Sequence, residues 1–209
     1  AFETRTAHVV DFAVAGHDRG GRVAYRLALD HPEVLTAAAF LDIVPTLDNW
    51  ERMRWQQAVY SYHWPFLAQP HPLPETLIAA DPDYYVLHTL ESWTKTRSLD
   101  CFGADALAHY RALLAKPESL HAVCEDYRAG ATIDREIDAV DRAAGRRIPV
   151  PVLVLWSTHY LGRGGIDPGL VWRPWCESVH SIAIDSGHFL AEEAPDATLA
   201  ALLPYLRGA

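Results

Sequence analysis

The chain has 209 residues, of which 50% are hydrophobic and 22% are charged, so it can bury a substantial core and is expected to be globular. Its net charge is −9 and no run of lysine and arginine stands out, which makes nucleic acid an unexpected partner. No stretch approaches the length of a membrane span, and residues 1–5 do not resemble the start of a signal peptide. The three cysteines lack metal-ligand spacing, which favours reduced thiols, a cytoplasmic location and no metal site.

The first predicted elements are a strand at 12–15 and a helix from about residue 20 to 30, which ends before His31-Pro32. Between them, Gly16-His17-Asp18-Arg19-Gly20 has the pattern of a nucleophile elbow, a tight turn with small residues on both sides of a reactive side chain. The reactive residue would be Asp18, a carboxylate that needs no base to deprotonate it and would attack carbon. The pattern alone is weak, because Asp in such a turn can simply cap a helix.

The rest of the chain predicts an α/β fold interrupted by helices. A second strand at 37–41 ends at Asp42, and strand–helix–strand indicates a parallel sheet. Residues 46–147 read as helices, with apolar and aromatic residues at helical spacing over 47–57. The sheet resumes at 151–156, followed by a short helix at 171–177, a strand at 181–184 and a closing helix at 195–206. We therefore predict a core domain of residues 1–45 and 148–209, with a helical cap domain of residues 46–147 over the sheet edge that carries the site.

A histidine and an acid are expected to complete the site. His188 follows a strand directly, and the order nucleophile, acid, histidine is that of the α/β-hydrolases. Two residues compete for the acid: Asp42 at the end of a strand, and Asp167 in the loop after the strand at 151–156. The more rigid position favours Asp42, although the pattern leaves Asp167 open.

Two further groups have the chemistry of a binding site. Arg19 and Arg22 lie three residues apart at the start of a helix, so they share a face beside Asp18 and could bind a carboxylate. Surface ion pairing is the alternative role for them. His63, Trp64 and Tyr127 carry donors that could hold a departing anion, although aromatic residues in helices usually belong to a core.

Five segments together resemble the fluoroacetate (haloacetate) dehalogenases, which are α/β-hydrolases with a helical cap. They are Gly16-His17-Asp18-Arg19-Gly20-Gly21-Arg22, Leu41-Asp42-Ile43-Val44-Pro45-Thr46, Tyr62-His63-Trp64, Cys124-Glu125-Asp126-Tyr127-Arg128-Ala129-Gly130 and Ser186-Gly187-His188-Phe189. The resemblance implies Asp18 as nucleophile, His188 as base for the hydrolytic water and Asp42 as the acid that orients it. It further implies that Arg19 and Arg22 bind the substrate carboxylate, that His63, Trp64 and Tyr127 bind the halide, and that Trp93 lines the substrate cavity. A homodimer without a cofactor is implied as well.

Members of that family carry a further N-terminal segment, with the first strands of the sheet and a His-Gly-X-Pro-type loop, that has no match here. We therefore expect the strand at 12–15 to be an exposed edge, and the chain alone to be inactive and prone to aggregate.

The predicted function is hydrolysis of small 2-haloacids through an ester on Asp18. One alternative is an epoxide hydrolase, which shares the Asp elbow; Arg19, where those enzymes usually have Trp, favours an anionic substrate. A second alternative is an inactive remnant whose helices serve as an interaction module.

Overall fold

A computed structural model describes residues 11–208, whose centre is a parallel sheet. Its strands are β1 (Phe12–His17), β2 (Leu35–Leu41), β3 (Val152–Ser157) and β4 (Val179–Ile184), in the order β1-β2-β3-β4. Helix α1 (Asp18–Asp30) connects β1 to β2. The prediction of a parallel α/β sheet is confirmed; β1, β2 and β4 each extend beyond the predicted strand at one end, and β3 is shifted by one residue. Residues 1–10 and 209 of the predicted core domain lie outside the described residues.

The segment between β2 and β3 is helical, as predicted. Its helices are α2 (Thr46–Arg52), α3 (Trp55–Tyr60), α4 (His63–Leu67), α5 (Leu73–Ala79), α6 (Pro82–Trp93), α7 (Ala104–Leu114), α8 (Pro117–Ala131) and α9 (Ile133–Ala143). We call α2–α9 the helical segment. The helical spacing over 47–57 does not give one helix: Met53 and Arg54 have extended backbone, so α2 ends and α3 starts anew. That the helical segment forms a domain of its own stays a prediction.

The chain ends with α10 (Gly169–Trp172), α11 (Leu190–Glu193) and α12 (Pro195–Gly208). The helix predicted at 171–177 is wrong in its bounds: α10 ends at Trp172 and a turn follows, because Pro174 has no backbone N–H to continue the helical hydrogen bonds. Helix α12 runs two residues beyond the predicted end.

The two faces of the sheet are both covered, as parallel sheets require. Alternate residues of β2 and β3 point to opposite sides: Phe40 and Val154 pack with Trp172, whereas Leu41 and Leu155 pack with Leu190. A third apolar cluster lies within the helical segment and includes Trp64, Leu67, Ile78, Leu120, Cys124 and Tyr127.

Buried ionic contacts join α9 to α1. Asp138 is 1% exposed and accepts hydrogen bonds from the Tyr25 hydroxyl at 2.9 Å and from the Leu47 backbone N–H at 3.1 Å. Asp141 forms an ion pair with Arg26 at 2.6 Å. These contacts anchor the last helix of the helical segment on the helix that follows the elbow.

β1 is one of the two edge strands of the sheet, and it is more exposed than the central strands β2 and β3. It pairs with β2 on one side, and among residues 11–208 no strand pairs with its other side. Its residues are exposed or half-buried, with Phe12 43% exposed, whereas β2 is almost fully buried. The predicted edge strand is therefore present in the described part of the chain.

None of the helices within residues 11–208 is long and apolar enough to cross a bilayer.

Candidate active site

Asp18 lies at a strained turn between β1 and α1. Its φ is +48°, a left-handed conformation that costs a non-glycine residue about 1–3 kcal/mol. Strand and helix approach so closely that a Cβ on Gly21 would lie 2.9 Å from the carbonyl oxygen of Gly16. The small residues flanking Asp18 therefore permit the turn, which is the geometry that an elbow requires.

His188 and Asp42 form a buried pair next to this turn. Nδ1 of His188 lies 2.8 Å from Oδ2 of Asp42, and Nε2 lies 3.7 Å from Oδ2 of Asp18. The other carboxylate oxygen of Asp42 accepts hydrogen bonds at 2.7 Å from both the backbone N–H and the hydroxyl of Ser157. The imidazole is thus held from one side by Asp42 and faces Asp18 with its other nitrogen.

Asp167, the competing acid, is engaged elsewhere. Its Oδ1 accepts hydrogen bonds from the hydroxyl of Ser181 at 2.6 Å and from the backbone N–H of Gly169 at 2.7 Å. These bonds fix the loop before α10 and do not involve His188.

The charges of this group favour an ion pair. Burial acts to raise the pKa of Asp18, but the close contact with the charge of His188, aided by His17 and Arg22, outweighs it and holds that pKa well below its usual value. Burial acts to lower the pKa of His188, and the contacts with Asp18 and Asp42 overcome it and raise that pKa to about 9. At neutral pH, Asp18 is therefore ionised and His188 is protonated.

Arg19 and Arg22 both lie beside Asp18, and each has a guanidinium N–H group that makes no hydrogen bond within the protein. Arg19 pairs with Asp126 of α8, donating from Nε to its carboxylate and from Nη2 to its backbone oxygen at 3.0 Å. Arg22 donates from Nη1 to Thr46 at 3.0 Å and to the carbonyl oxygen of Val44 at 3.1 Å. Nη1 of Arg19 and Nε of Arg22 are buried and have no protein partner. A buried, unpaired guanidinium N–H is costly, so these two atoms indicate a place for an anion.

The aromatic residues named from the sequence surround the same point. The guanidinium of Arg22 lies 4.4 Å from the ring centre of Trp64, and that of Arg19 lies 4.7 Å from that of Tyr127. His63 is 3% exposed, and its Nδ1 has no protein partner. Burial lowers the pKa of His63 to about 3, so its ring is neutral. Burial likewise raises the pKa of Tyr127 far above its usual value and keeps the phenol protonated.

A cavity of about 610 Å³ opens beside Asp18. Its wall includes Asp18, Arg22, Asp42, His63, Trp64, Trp93, Tyr160 and His188. The ring of Trp93 stands 4.5 Å from that of His63 and 5.3 Å from that of His188, between the two. Arg19 and Tyr127 are next to this wall: the Arg19 guanidinium lies 5.7 Å and the Tyr127 ring 5.5 Å from the ring of Trp64. The structure therefore brings all nine predicted site residues to one region.

Four residues at the site were not found from the sequence. Ser157 bonds Asp42, Asp126 bonds Arg19, and His17 approaches the backbone oxygen of His188 with Nε2 at 2.8 Å. The ring of Tyr160 lies 4.5 Å from that of His188. Only His17, adjacent to the proposed nucleophile in the chain, and Ser157, at the end of β3, had a local signal.

Solved structures share this arrangement of strands and helices. A proposed alpha/beta hydrolase from Nostoc sp PCC 7120 superposes with a TM-score of 0.90 and 45% identity, over 95% of this chain and 67% of that one. The chain belongs to the α/β-hydrolases. The predicted fold class is therefore confirmed. No protein-family model matches the chain.

Curated relatives of this α/β-hydrolase include two kinds of enzyme. Fluoroacetate dehalogenase from Burkholderia sp is 38% identical over 205 residues, 98% of this chain and 66% of the relative. Soluble epoxide hydrolase from Corynebacterium sp. (strain C12) is 28% identical over 87% of this chain and 62% of the relative. The chain spans just under two thirds of each.

A mutant of a proposed epoxide hydrolase from Pseudomonas aeruginosa, solved with bound MFA, is 46% identical with a TM-score of 0.88, over 95% of this chain and 66% of that one. The resemblance to fluoroacetate dehalogenase is confirmed. Because epoxide hydrolases are also among the neighbours, the family is established and the substrate is not.

Proposed function

We propose that this α/β-hydrolase removes the halogen of small 2-haloacids, such as fluoroacetate or chloroacetate, to give the 2-hydroxy acid and halide. The observation that carries the proposal is the pair of buried, unpaired guanidinium atoms, Nη1 of Arg19 and Nε of Arg22, beside Asp18. A substrate carboxylate would satisfy both, and it would hold the adjacent carbon near the carboxylate of Asp18. An uncharged epoxide would leave them without a partner.

In the first proposed step, Asp18 displaces the halide. A carboxylate oxygen of Asp18 attacks the carbon that bears the halogen, the carbon–halogen bond breaks, and an ester forms on Asp18. The neutral ring of His63, the indole of Trp64 and the protonated phenol of Tyr127 would donate hydrogen bonds to the leaving halide. Trp93 would shape the cavity around the substrate carbon.

In the second proposed step, His188 activates water. Once Asp18 is esterified its negative charge is gone, so the pKa of His188 falls and the ring can release its proton to solvent. Neutral His188, oriented by Asp42, then takes a proton from a water molecule that attacks the ester carbonyl. The ester bond breaks, the leaving alkoxide takes the remaining proton of the attacking water, and the 2-hydroxy acid leaves; Asp18 is regenerated as a carboxylate and His188 keeps the proton that it accepted.

Epoxide hydrolysis is the second candidate, and the buried phenols favour it. Burial raises the pKa values of Tyr127 and Tyr160 well above the usual value for tyrosine, so both are protonated donors near Asp18. Such donors suit the oxygen of an opening epoxide ring, with Asp18 attacking the carbon.

An assay on both substrate classes separates these functions. Halide release from fluoroacetate and chloroacetate would be measured beside diol formation from styrene oxide, with haloacetamides as uncharged controls. The assay uses the chain and a fusion that carries the N-terminal segment of the Burkholderia relative. We expect the fusion to hydrolyse the haloacetates and to leave the haloacetamides and styrene oxide unchanged. Equal turnover of haloacetamides would contradict carboxylate recognition, diol formation would establish the epoxide function, and inactivity of both proteins would favour an interaction module.

The proposed reaction needs water and no cofactor. A homodimer and a cytoplasmic location remain predictions; light scattering on the fusion that carries the N-terminal segment tests the first.

A further inference from the structure

A second group of chemically active side chains lies on the surface of the helical segment, away from the cavity beside Asp18. His71 precedes α5, Glu75 belongs to α5, and His121 belongs to α8. Each offers one ligand atom, and these atoms lie within 4.8 Å of one another. From this juxtaposition we propose that His71, Glu75 and His121 form a binding site for a divalent transition metal ion of the zinc type.

The ligand set fits zinc. Two imidazole nitrogens and one carboxylate oxygen are a set that zinc takes in proteins, with a water molecule as the fourth ligand. A tetrahedral ion with bonds of 2.0–2.2 Å spaces its ligands about 3.3 Å apart. Nδ1 of His121 already lies 3.1 Å from Oε1 of Glu75, and the rings of His71 and His121 are 5.4 Å apart at 85°. Both histidines are exposed, so small rotations of their side chains can close the remaining distance.

The carboxylate of Glu75 is held in place for this role. Arg128 donates to its two oxygens at 2.8 Å and 2.9 Å, and the side chain of Glu75 is only 13% exposed. A carboxylate that binds a metal is usually held by hydrogen bonds from an outer residue, and Arg128 would be that residue here. The hydrogen bonds from Arg128 also lower the pKa of Glu75 to about 2, so the group is ionised at neutral pH.

The charge of Arg128 does not exclude a cation. Its Nη1 also donates to Glu125 at 2.6 Å, so this guanidinium is shared between two carboxylates. Glu75 and Glu125 together outnumber it in charge. The whole chain also carries a net charge of −9, which attracts cations.

Binding would connect two helices of the helical segment. An ion held by His71, Glu75 and His121 would fix the start of α5 to α8, the helix that also carries Tyr127. Because the ion would bind the folded chain only, it would raise the unfolding temperature.

The test is a zinc titration of the chelator-treated chain in competition with a fluorescent zinc indicator. The variants are His71→Asn and His121→Gln, and the matched control is His109→Gln, which changes an exposed histidine of α7. Glu75 is kept, because its loss would also free Arg128. We expect one zinc ion per chain, affinity at least tenfold weaker in each variant, and no change in the control.

The unfolding temperature in excess zinc gives a second, independent test of the site. With excess zinc, the unfolding temperature is expected to rise for the parent and His109→Gln, and not for His121→Gln; circular dichroism checks that each variant is folded. Zinc binding of equal strength in the parent and both variants would overturn the proposal. So would the absence of a one-to-one complex at neutral pH.

Discussion

At the scale of single residues, the charge of Asp18 governs the protonation of His188. The pKa of His188 is raised to about 9 by its acidic neighbours despite burial. Asp18→Asn removes one of them, so the pKa of His188 is expected to fall, and NMR titration of the imidazole measures it. The variant should also lose activity by roughly 10³-fold or more, because an amide does not replace the nucleophile. An unchanged pKa would contradict the ion pair.

The same shift gives the folded chain a pH dependence with a fixed sign. Because the pKa of His188 is higher in the folded state, its contribution to stability is complete below about 6.5 and is lost as the pH rises through about 9. The free energy of unfolding in urea should therefore fall across that window. The free energy of unfolding of the Asp18→Asn variant should fall less steeply across the same window. A steeper fall in the variant would contradict the role of Asp18.

Asp126 is expected to position Arg19. Without its carboxylate partner, the guanidinium of Arg19 can turn from the substrate toward Asp18. In the fusion that carries the N-terminal segment, Asp126→Asn should raise KM for haloacetates about tenfold, equivalent to about 1.4 kcal/mol, and change kcat less. The control is Glu118→Gln, an exposed change on the same helix. Restoration of KM by Asp126→Glu would support positioning. A fall in kcat with KM unchanged would refute it.

At the scale of elements, Asp138 is the more buried of the two carboxylates that join α9 to α1. Asp138→Ala removes the acceptor of the Leu47 backbone N–H and of the Tyr25 hydroxyl. A buried donor left without a partner costs about 1–3 kcal/mol, so a loss of that size in the free energy of unfolding is expected. Asp105→Ala on exposed α7 is the control and should change it little. An equal loss of unfolding free energy in both variants would show that the hydrogen bonds of Asp138 do not stabilise the fold more than an exposed carboxylate does.

The elements also show what the sequence could predict. The β1–α1 turn was foreseeable because glycine spacing is local, and the tight approach of Gly21 to Gly16 depends on that spacing alone. The break at Met53 and Arg54 was not, because the helical pattern of apolar residues continues through it. The roles of Asp126 and Tyr160 could not be predicted for another reason. Asp126 bonds Arg19, which is more than a hundred residues away in the chain, and Tyr160 packs against His188 only in the folded structure. Asp42 could be preferred to Asp167 on rigidity, whereas its contact with His188 required the fold.

At the scale of the whole molecule, the open side of β1 is an exposed edge of the sheet. Strands of a parallel sheet are normally covered on both faces, and within residues 11–208 only the edge strands β1 and β4 lack a second strand partner. In residues 11–208, β1 has one strand partner, and Phe12 and Ala15 are exposed on it. Unpaired N–H and C=O groups beside apolar side chains favour association with another chain.

The corresponding prediction is that the chain of residues 1–209 self-associates through β1. Ala15→Lys places a charge on the exposed strand, and a lysine there should hinder pairing between edges. We expect light scattering to show assemblies larger than a dimer for the parent and a smaller, uniform species for Ala15→Lys. The matched control is Val23→Lys, since Val23 is 70% exposed on α1 and away from the sheet edge. If both lysine variants lowered association equally, added charge and not the β1 edge would be the cause. A monodisperse parent chain would show that this edge does not drive association.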